Sequence, residues 1–339
     1  MSKKVIALFS SDYRDLYKGD IFRVLCLPKN YIIEFRYRKE HLDQDILSKI
    51  NGDELIDRDS IIFFVSGNDS NLTKEERLRN IEFHPIRKAE IKEIYYDENV
   101  EIVNFYLKLK DFTDKDYHPK TDEKDLPIYK MVSALTLKDV PEKSWINRVK
   151  DIEKEFNDSL FFHINSVRDG DKIKEPKYSS NNRSSYYQLQ DGKNYQLDLS
   201  CYDPKSGSKL DVSYSSDDMK IHSSNGFIID AIRKTMILDL KTNSLDVSSS
   251  SAITTLQENA NNNNKHFSVN LNWRIKKSFW KPWVFGLLSA LILIGLIIAN
   301  ASLPDTKPFL ENMSWKLLVL GLIMVGSGSG LLFYLFNKK

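Results

Sequence analysis

The sequence predicts a mainly β protein with a few helices: a β-barrel or curled sheet, an antiparallel β-sandwich, and a C-terminal two-helix transmembrane hairpin. Three patterns carry that prediction. Apolar and β-branched runs alternate with turns over the first ~110 residues, and from Leu160 to Ile275 apolar residues recur almost throughout at every second position, the spacing of half-buried strands. One segment, Glu142–Phe156, instead places Trp145, Val149, Ile152 and Phe156 at helical steps. Two long runs near the end carry no charge at all.

Taken in order, Lys4–Phe9, Ile21–Leu27, Tyr31–Tyr37 and Ser60–Ser66 read as strands, parted by Gly19-Asp20, Pro28 and Gly67-Asn68-Asp69. His41–Ile50 and Thr73–Asn80 read as short helices. Ile86–Tyr96 and Val100–Lys110 form a hairpin about Asp97-Glu98-Asn99, with arms long enough for a curled sheet or small barrel. These elements make a β-rich domain over 1–110, followed by a charged linker over 111–141.

The second domain, 142–275, opens with the amphipathic helix and continues as strands. Leu160-Phe162-Ile164 alternates with polar positions, and Asp191-Gly192 signals a hairpin between Tyr186–Gln190 and Tyr195–Cys201. Asp203–Gly207 turns the chain into Leu210-Val212-Tyr214; Met236-Leu238-Leu240 and Phe267–Ile275 follow. Such short strands with regular turns predict a sandwich of immunoglobulin-like architecture, without the Cys…Trp…Cys spacing of a true immunoglobulin domain. Asn259–Asn264 reads as a surface loop.

From Trp283 to Ala299 there is no charge in 17 residues, and from Leu317 to Phe336 none in 20. Twenty helical residues span roughly 30 Å, the thickness of a bilayer's hydrocarbon core. Trp280, Trp283, Trp315, Tyr334 and Phe336 stand where interfacial aromatics belong. The spans are therefore 282–303 and 315–336, joined by a short external loop, 304–314, that contains Pro304 and Pro308. Arg274, Lys276, Lys277 and Lys281 precede the first span and Lys338-Lys339 follow the second. Basic flanks stay cytoplasmic, so both termini are predicted inside a multi-pass membrane protein. Small residues Gly286, Ala290, Gly295, Gly321, Gly326 and Gly330 provide close-packing faces for association of several hairpins. Packing within one hairpin is the plainer use of the same residues.

The net charge is +2, but eight of the 49 basic and two of the 47 acidic residues lie from Arg274 onwards. Residues 1–273 are thus mildly acidic, which argues against general nucleic-acid affinity. Cys26 and Cys201 are far apart and outside any CxxC pattern, so two buried free thiols are expected rather than a disulfide framework or zinc site. No nucleotide-loop, metalloprotease or nucleophile-elbow motif occurs, and the six histidines are scattered; no enzyme, metal or cofactor is expected.

One cluster suggests a ligand. Arg36, Tyr37 and Arg38, with Arg87 and Lys88, place guanidinium groups that could collect on adjacent strands as an anion site, with a tyrosine for stacking. A solvent-facing row of charges on an edge strand is the alternative.

Cytoplasmic β domains, a short neck at 276–281 and a glycine-bearing hairpin together resemble the two-transmembrane effectors of bacterial antiphage immunity. That resemblance implies a sensor, triggered by a nucleotide second messenger or a protein, that gates homo-oligomeric spans in the inner membrane of a bacterium. The alternative is a static tether or scaffold that holds a cytoplasmic partner at the bilayer.

Overall fold

The computed structural model describes residues 3–12, 15–67, 73, 76, 80–113, 130–137, 144–156, 160–190, 193–203, 209–214, 227–228, 233–239, 246–256, 267–276 and 290. Residues 1–276 form one compact unit and 277–339 another. The protein is mainly β, with open sheets and few helices. Among the described residues no helix is long and apolar enough to cross a membrane. Both predicted spans and their loop lie outside the described residues, as do Gly286, Gly295, Gly321, Gly326 and Gly330; Ala290 is helical.

The first sheet runs in the order β2-β5-β4-β3-β1-β6. Its strands are β1 (Lys3–Ser11), β2 (Ile32–Arg38), β3 (Asp59–Ser66), β4 (Glu82–Asp97), β5 (Ile102–Phe112) and β6 (Val132–Leu137). The predicted hairpin about Asp97-Glu98-Asn99 is β4–β5. The sheet does not close into a barrel. β2 and β6 remain its edges, and the outer side of β6 is met by a loop: Asp43 N–H donates to Val132 O and Met131 N–H to His41 O. β6 lies inside the stretch read as a linker, of which 114–129 and 138–141 fall outside the described residues. The helix expected over His41–Ile50 is only a short α2 (Gln44–Leu47) after a 3-10 turn at Lys39–His41. That of Thr73–Asn80 lies mostly outside the described residues.

Ile21–Leu27 is not a strand. It belongs to α1 (Asp15–Cys26), and β1 pairs in parallel with β3 across that crossover. Ile21, Phe22, Val24, Leu25 and Cys26 have no solvent exposure. Over Ile21–Leu27 every residue but Arg23 is buried, so the apolar run reads like that of a buried strand.

The second region holds α3 (Trp145–Ile152) and a 3-10 turn at Glu153–Phe156. All four predicted helical positions, Trp145, Val149, Ile152 and Phe156, are buried. Two sheets follow. One has the order β13-β12-β15-β16-β10-β9, the other β14-β11-β7-β8. The strands are β7 (Phe162–Asp169), β8 (Lys172–Lys174), β9 (Lys177–Ser179), β10 (Ser184–Gln190), β11 (Asn194–Cys201), β12 (Lys209–Tyr214), β13 (Phe227–Ile228), β14 (Arg233–Asp239), β15 (Asp246–Leu256) and β16 (Ser268–Lys276).

The expected hairpin at Asp191-Gly192 is not formed, because β10 and β11 belong to different sheets. The chain crosses between layers there, and Tyr195 Oη accepts Gln190 N–H at 2.8 Å to hold the corner. The sheets are antiparallel except where β10 meets β16 in parallel.

Residues 1–110 and 142–275, which the sequence divides at a charged stretch, share one core. α1 lies against β1 and β4 on one side and against β7 and β16 on the other. Its Phe22 ring stacks on Phe267 at 5.1 Å and meets Phe161 at 5.5 Å. The layers are also hydrogen-bonded: Ile32 N–H donates to Ser185 Oγ (2.7 Å) and Tyr31 Oη–H to Ser185 O (3.2 Å).

Candidate functional site

The five residues predicted to gather around an anion are not brought together. Register places Arg36 opposite Asn104 and Arg87 opposite Phe112, about 26 Å apart along β5 at ~3.3 Å per residue. Arg36 and Arg38 are exposed on β2, whereas Tyr37 is buried and its hydroxyl donates to Phe9 O at 3.2 Å. Lys88 is half-buried on β4.

Arg87 has an internal task. Its Nη1 donates to Val24 O (2.8 Å) and Leu27 O (2.6 Å), and Nε donates to Lys110 O (2.7 Å). The guanidinium also lies 4.3 Å from the Phe112 ring centroid. It thus satisfies carbonyls that the end of α1 leaves open, with a charge of the sign that end favours. Burial pulls its pKa down to about 9, with Asp111 and Cys26 opposing, so it stays cationic at neutral pH.

His163 completes the same end. Its Nδ1 lies 2.8 Å from Leu25 O, an acceptor, so Nδ1 carries the proton. The ring stacks on Trp145 and meets Phe112 edge-on. Burial first, then the nearby Arg87 charge, lower its pKa to about 3, against the opposing bond to Leu25. The group is neutral when folded and protonates near 6.5 when unfolded. Its stabilisation is therefore complete above pH 6.5 and declines as pH falls from 6.5 towards 3. The slope is at most about 1.4 kcal/mol per pH unit, reduced by whatever part of the ring still meets solvent. His163→Asn, which keeps a donor for Leu25, is expected to flatten denaturant-derived stability between pH 6.5 and 4.5 relative to the parent; parallel curves would refute this.

Chemistry that the sequence did not single out gathers where the parallel strands β1 and β3 end. The carboxyl ends of adjacent parallel strands are where α/β folds place ligands. Gly67 N–H donates to Asp12 Oδ2 (2.8 Å), Asp12 N–H to Val65 O (2.9 Å), and Ser10 Oγ–H to Tyr17 O (3.0 Å). Ser66 Oγ is 2.9 Å from His84 Nε2, and the His84 ring stacks on Phe64. Gly67 is required: its φ is +78°, and a Cβ there would fall 2.2 Å from Asn80 O. Glu82 approaches the same Nε2 that Ser66 holds, at 3.7 Å, so it does not orient the ring through Nδ1 as a hydrolase's acid does. The bonds of Asp12 to Val65 and Gly67 tie the ends of β1 and β3 to one another. Their sequence signals, Ser10-Ser11-Asp12 and Ser66-Gly67, become meaningful only once β1 and β3 are known to be parallel neighbours.

On the outer face, Tyr178 Oη–H donates to Glu93 Oε2 (2.7 Å) and Arg183 Nε–H to Glu93 Oε1 (2.9 Å). The Arg183 guanidinium lies 3.7 Å from the centroid of the Tyr95 ring. These contacts fasten β9 and β10 to β4. Burial, then the bonded Glu93 carboxylate, raises the Tyr178 pKa, which keeps its donor in place.

Cys26 and Cys201 are free and buried. Among the described residues no group of three or more His, Cys, Asp or Glu is placed to hold a metal ion.

No family model matches the sequence, and no curated protein matches it. Among solved structures the chain is similar to a protein from Bacteroides vulgatus ATCC 8482, provisionally described as a bacterial DNA binding protein. The identity is 14%, 48% of this chain aligns with 66% of that one, and the TM-score is 0.18. At that score the likeness carries no argument.

Proposed function

We propose that this protein is a membrane-anchored sensor and effector of the bacterial inner membrane, its β-rich body gating a two-span hairpin that oligomerises and breaches the bilayer. One observation carries the reading: the way β16 leads into the first uncharged run. β16 is an interior strand, paired with β15 on one side and β10 on the other, and at its last residue Lys276 still faces both Asp246 and Gln190. Only 277–281 separate that residue from the predicted span. A strand held on both sides up to so short a neck transmits movement, which a long flexible linker would dissipate. The trigger is a nucleotide messenger or a protein, and antiphage defence is the setting that the order of parts suggests. The alternative is a static tether, favoured by the single core through 1–276, a property suited to a rigid scaffold.

Induced expression of the full chain in bacteria is expected to collapse the membrane potential, read with a voltage-sensitive dye. Cells that stay polarised while the chain accumulates in the membrane, with and without phage challenge, would leave the tether.

A further inference from the structure

Among the described residues, the edge of the first sheet along β2 is covered only in part. Along β2, Leu109 N–H donates to Tyr31 O and Lys39 N–H donates to Glu101 O. Odd-numbered residues from 31 to 39 therefore turn their backbone groups towards β5. Even-numbered residues turn theirs outwards, as Ile32 N–H shows by donating to Ser185 Oγ at 2.7 Å. Beyond that bond the edge is open: among the described residues no backbone partner meets the outward groups of Glu34 or Arg36.

The side chains along this opening are charged. Arg36 is exposed; Asp20 feels its charge, but Asp20 is bonded by Arg23. Arg38, whose side chain is 74% exposed, has a 3.6 Å contact with the equally solvated Glu40, a pair of little strength. Glu34 accepts from Tyr106 Oη at 3.3 Å. Two exposed guanidinium groups thus project from alternate positions, about 7 Å apart, beside unpaired backbone donors and acceptors.

We infer that the open edge of β2 docks an extended acidic segment of a partner protein by strand addition. Main-chain bonds to Glu34 and Arg36 hold it, and Arg36 and Arg38 select carboxylates at alternate positions of the incoming strand. A second copy of this chain fits less well. Antiparallel pairing across the open positions, centred on Arg36, sets that residue against its own counterpart, the like-charge arrangement by which edges resist self-association. This assignment holds whether the spans assemble or only anchor.

The test uses the full chain in lipid nanodiscs and a short fluorescent peptide alternating glutamate and valine, read by anisotropy. Binding is expected, with a loss of about tenfold or more when the peptide backbone is N-methylated to block strand pairing, or when Arg36→Glu and Arg38→Glu are combined. The double variant should instead bind the lysine–valine peptide that the parent rejects, which shows that its body is intact. Equal binding of the N-methylated peptide, or of the acidic peptide by the charge-reversed variant, would overturn the inference. So would spontaneous disulfide cross-linking between a copy carrying Glu34→Cys and one carrying Arg38→Cys, with Arg36 kept on both, which would give the edge to a second copy.

Discussion

An Arg87→Ala chain is expected to lose about 3–5 kcal/mol of stability, read by denaturant unfolding of the body. The side chain is 1% exposed and serves three carbonyls, Val24 O, Leu27 O and Lys110 O. Leaving buried acceptors without donors costs about 1–3 kcal/mol each. The contact with Phe112 contributes up to about 2 kcal/mol more where water is excluded. Against this stands the desolvation of the guanidinium, which the mutation relieves; the net remains strongly unfavourable because α1 ends in that pocket. Arg87→Lys keeps the charge but not the planar group that serves Lys110 O through Nε while Nη1 serves Val24 O and Leu27 O, so it should recover only part of the loss. Removing the guanidinium should also let the His163 pKa rise, since the Arg87 charge is one of the causes that depress it. A loss below about 1 kcal/mol in Arg87→Ala would show that the helix end is satisfied some other way.

The misreading of Arg87 has a local cause. In a regular strand Ile86 and Arg87 would face opposite sides, and the arginine would join Arg36 and Arg38 outside. In β4 the register slips: Ile62 faces Arg87 while Phe63 faces Pro85, and a second shift lies between Arg87 and Ala89. A bulge beside a proline lets both Ile86 and Arg87 turn inward, at 0% and 1% exposure. Strands with an unbroken period of two were legible. Val103, Phe105, Leu107 and Leu109 face the core as their alternation predicts, and Trp145, Val149, Ile152 and Phe156 do so on a helical period. Legibility failed where burial was nearly unbroken, as over Ile21–Leu27, and where apolar residues were scarce, as in the serine run of β15. It also failed where a turn signal carried the chain to another sheet, as after Gln190. Of the predicted cluster, Arg36 and Arg38 remain as surface groups. The rim of Asp12, Ser66 and His84 depends on long-range pairing that no local pattern states.

Under the proposed effector function, replacing Gly326 or Gly330 by leucine is expected to abolish depolarisation by the full chain, and the reason separates assembly from anchoring. In lipid, apolar side chains gain nothing by leaving the solvent, so helices associate through close backbone approach, which glycine permits. Leucine at either position holds the backbones apart. It is also among the residues that enter a bilayer most readily, so insertion, abundance and the topology expected from Lys276, Lys277, Lys281, Lys338 and Lys339 should not change. A tether needs only the hydrophobic length, and its partner would remain at the membrane in both variants. The measurement is therefore paired: membrane potential by dye, and oligomer size by cross-linking in the same cells. Loss of both signals together, with the chain still in the membrane fraction, supports assembly through these glycines. Leucine variants that depolarise cells as the parent does would remove the small-residue face from the mechanism. Variants that stay oligomeric but cease to depolarise would assign the glycines to the conducting path rather than to the contact between hairpins.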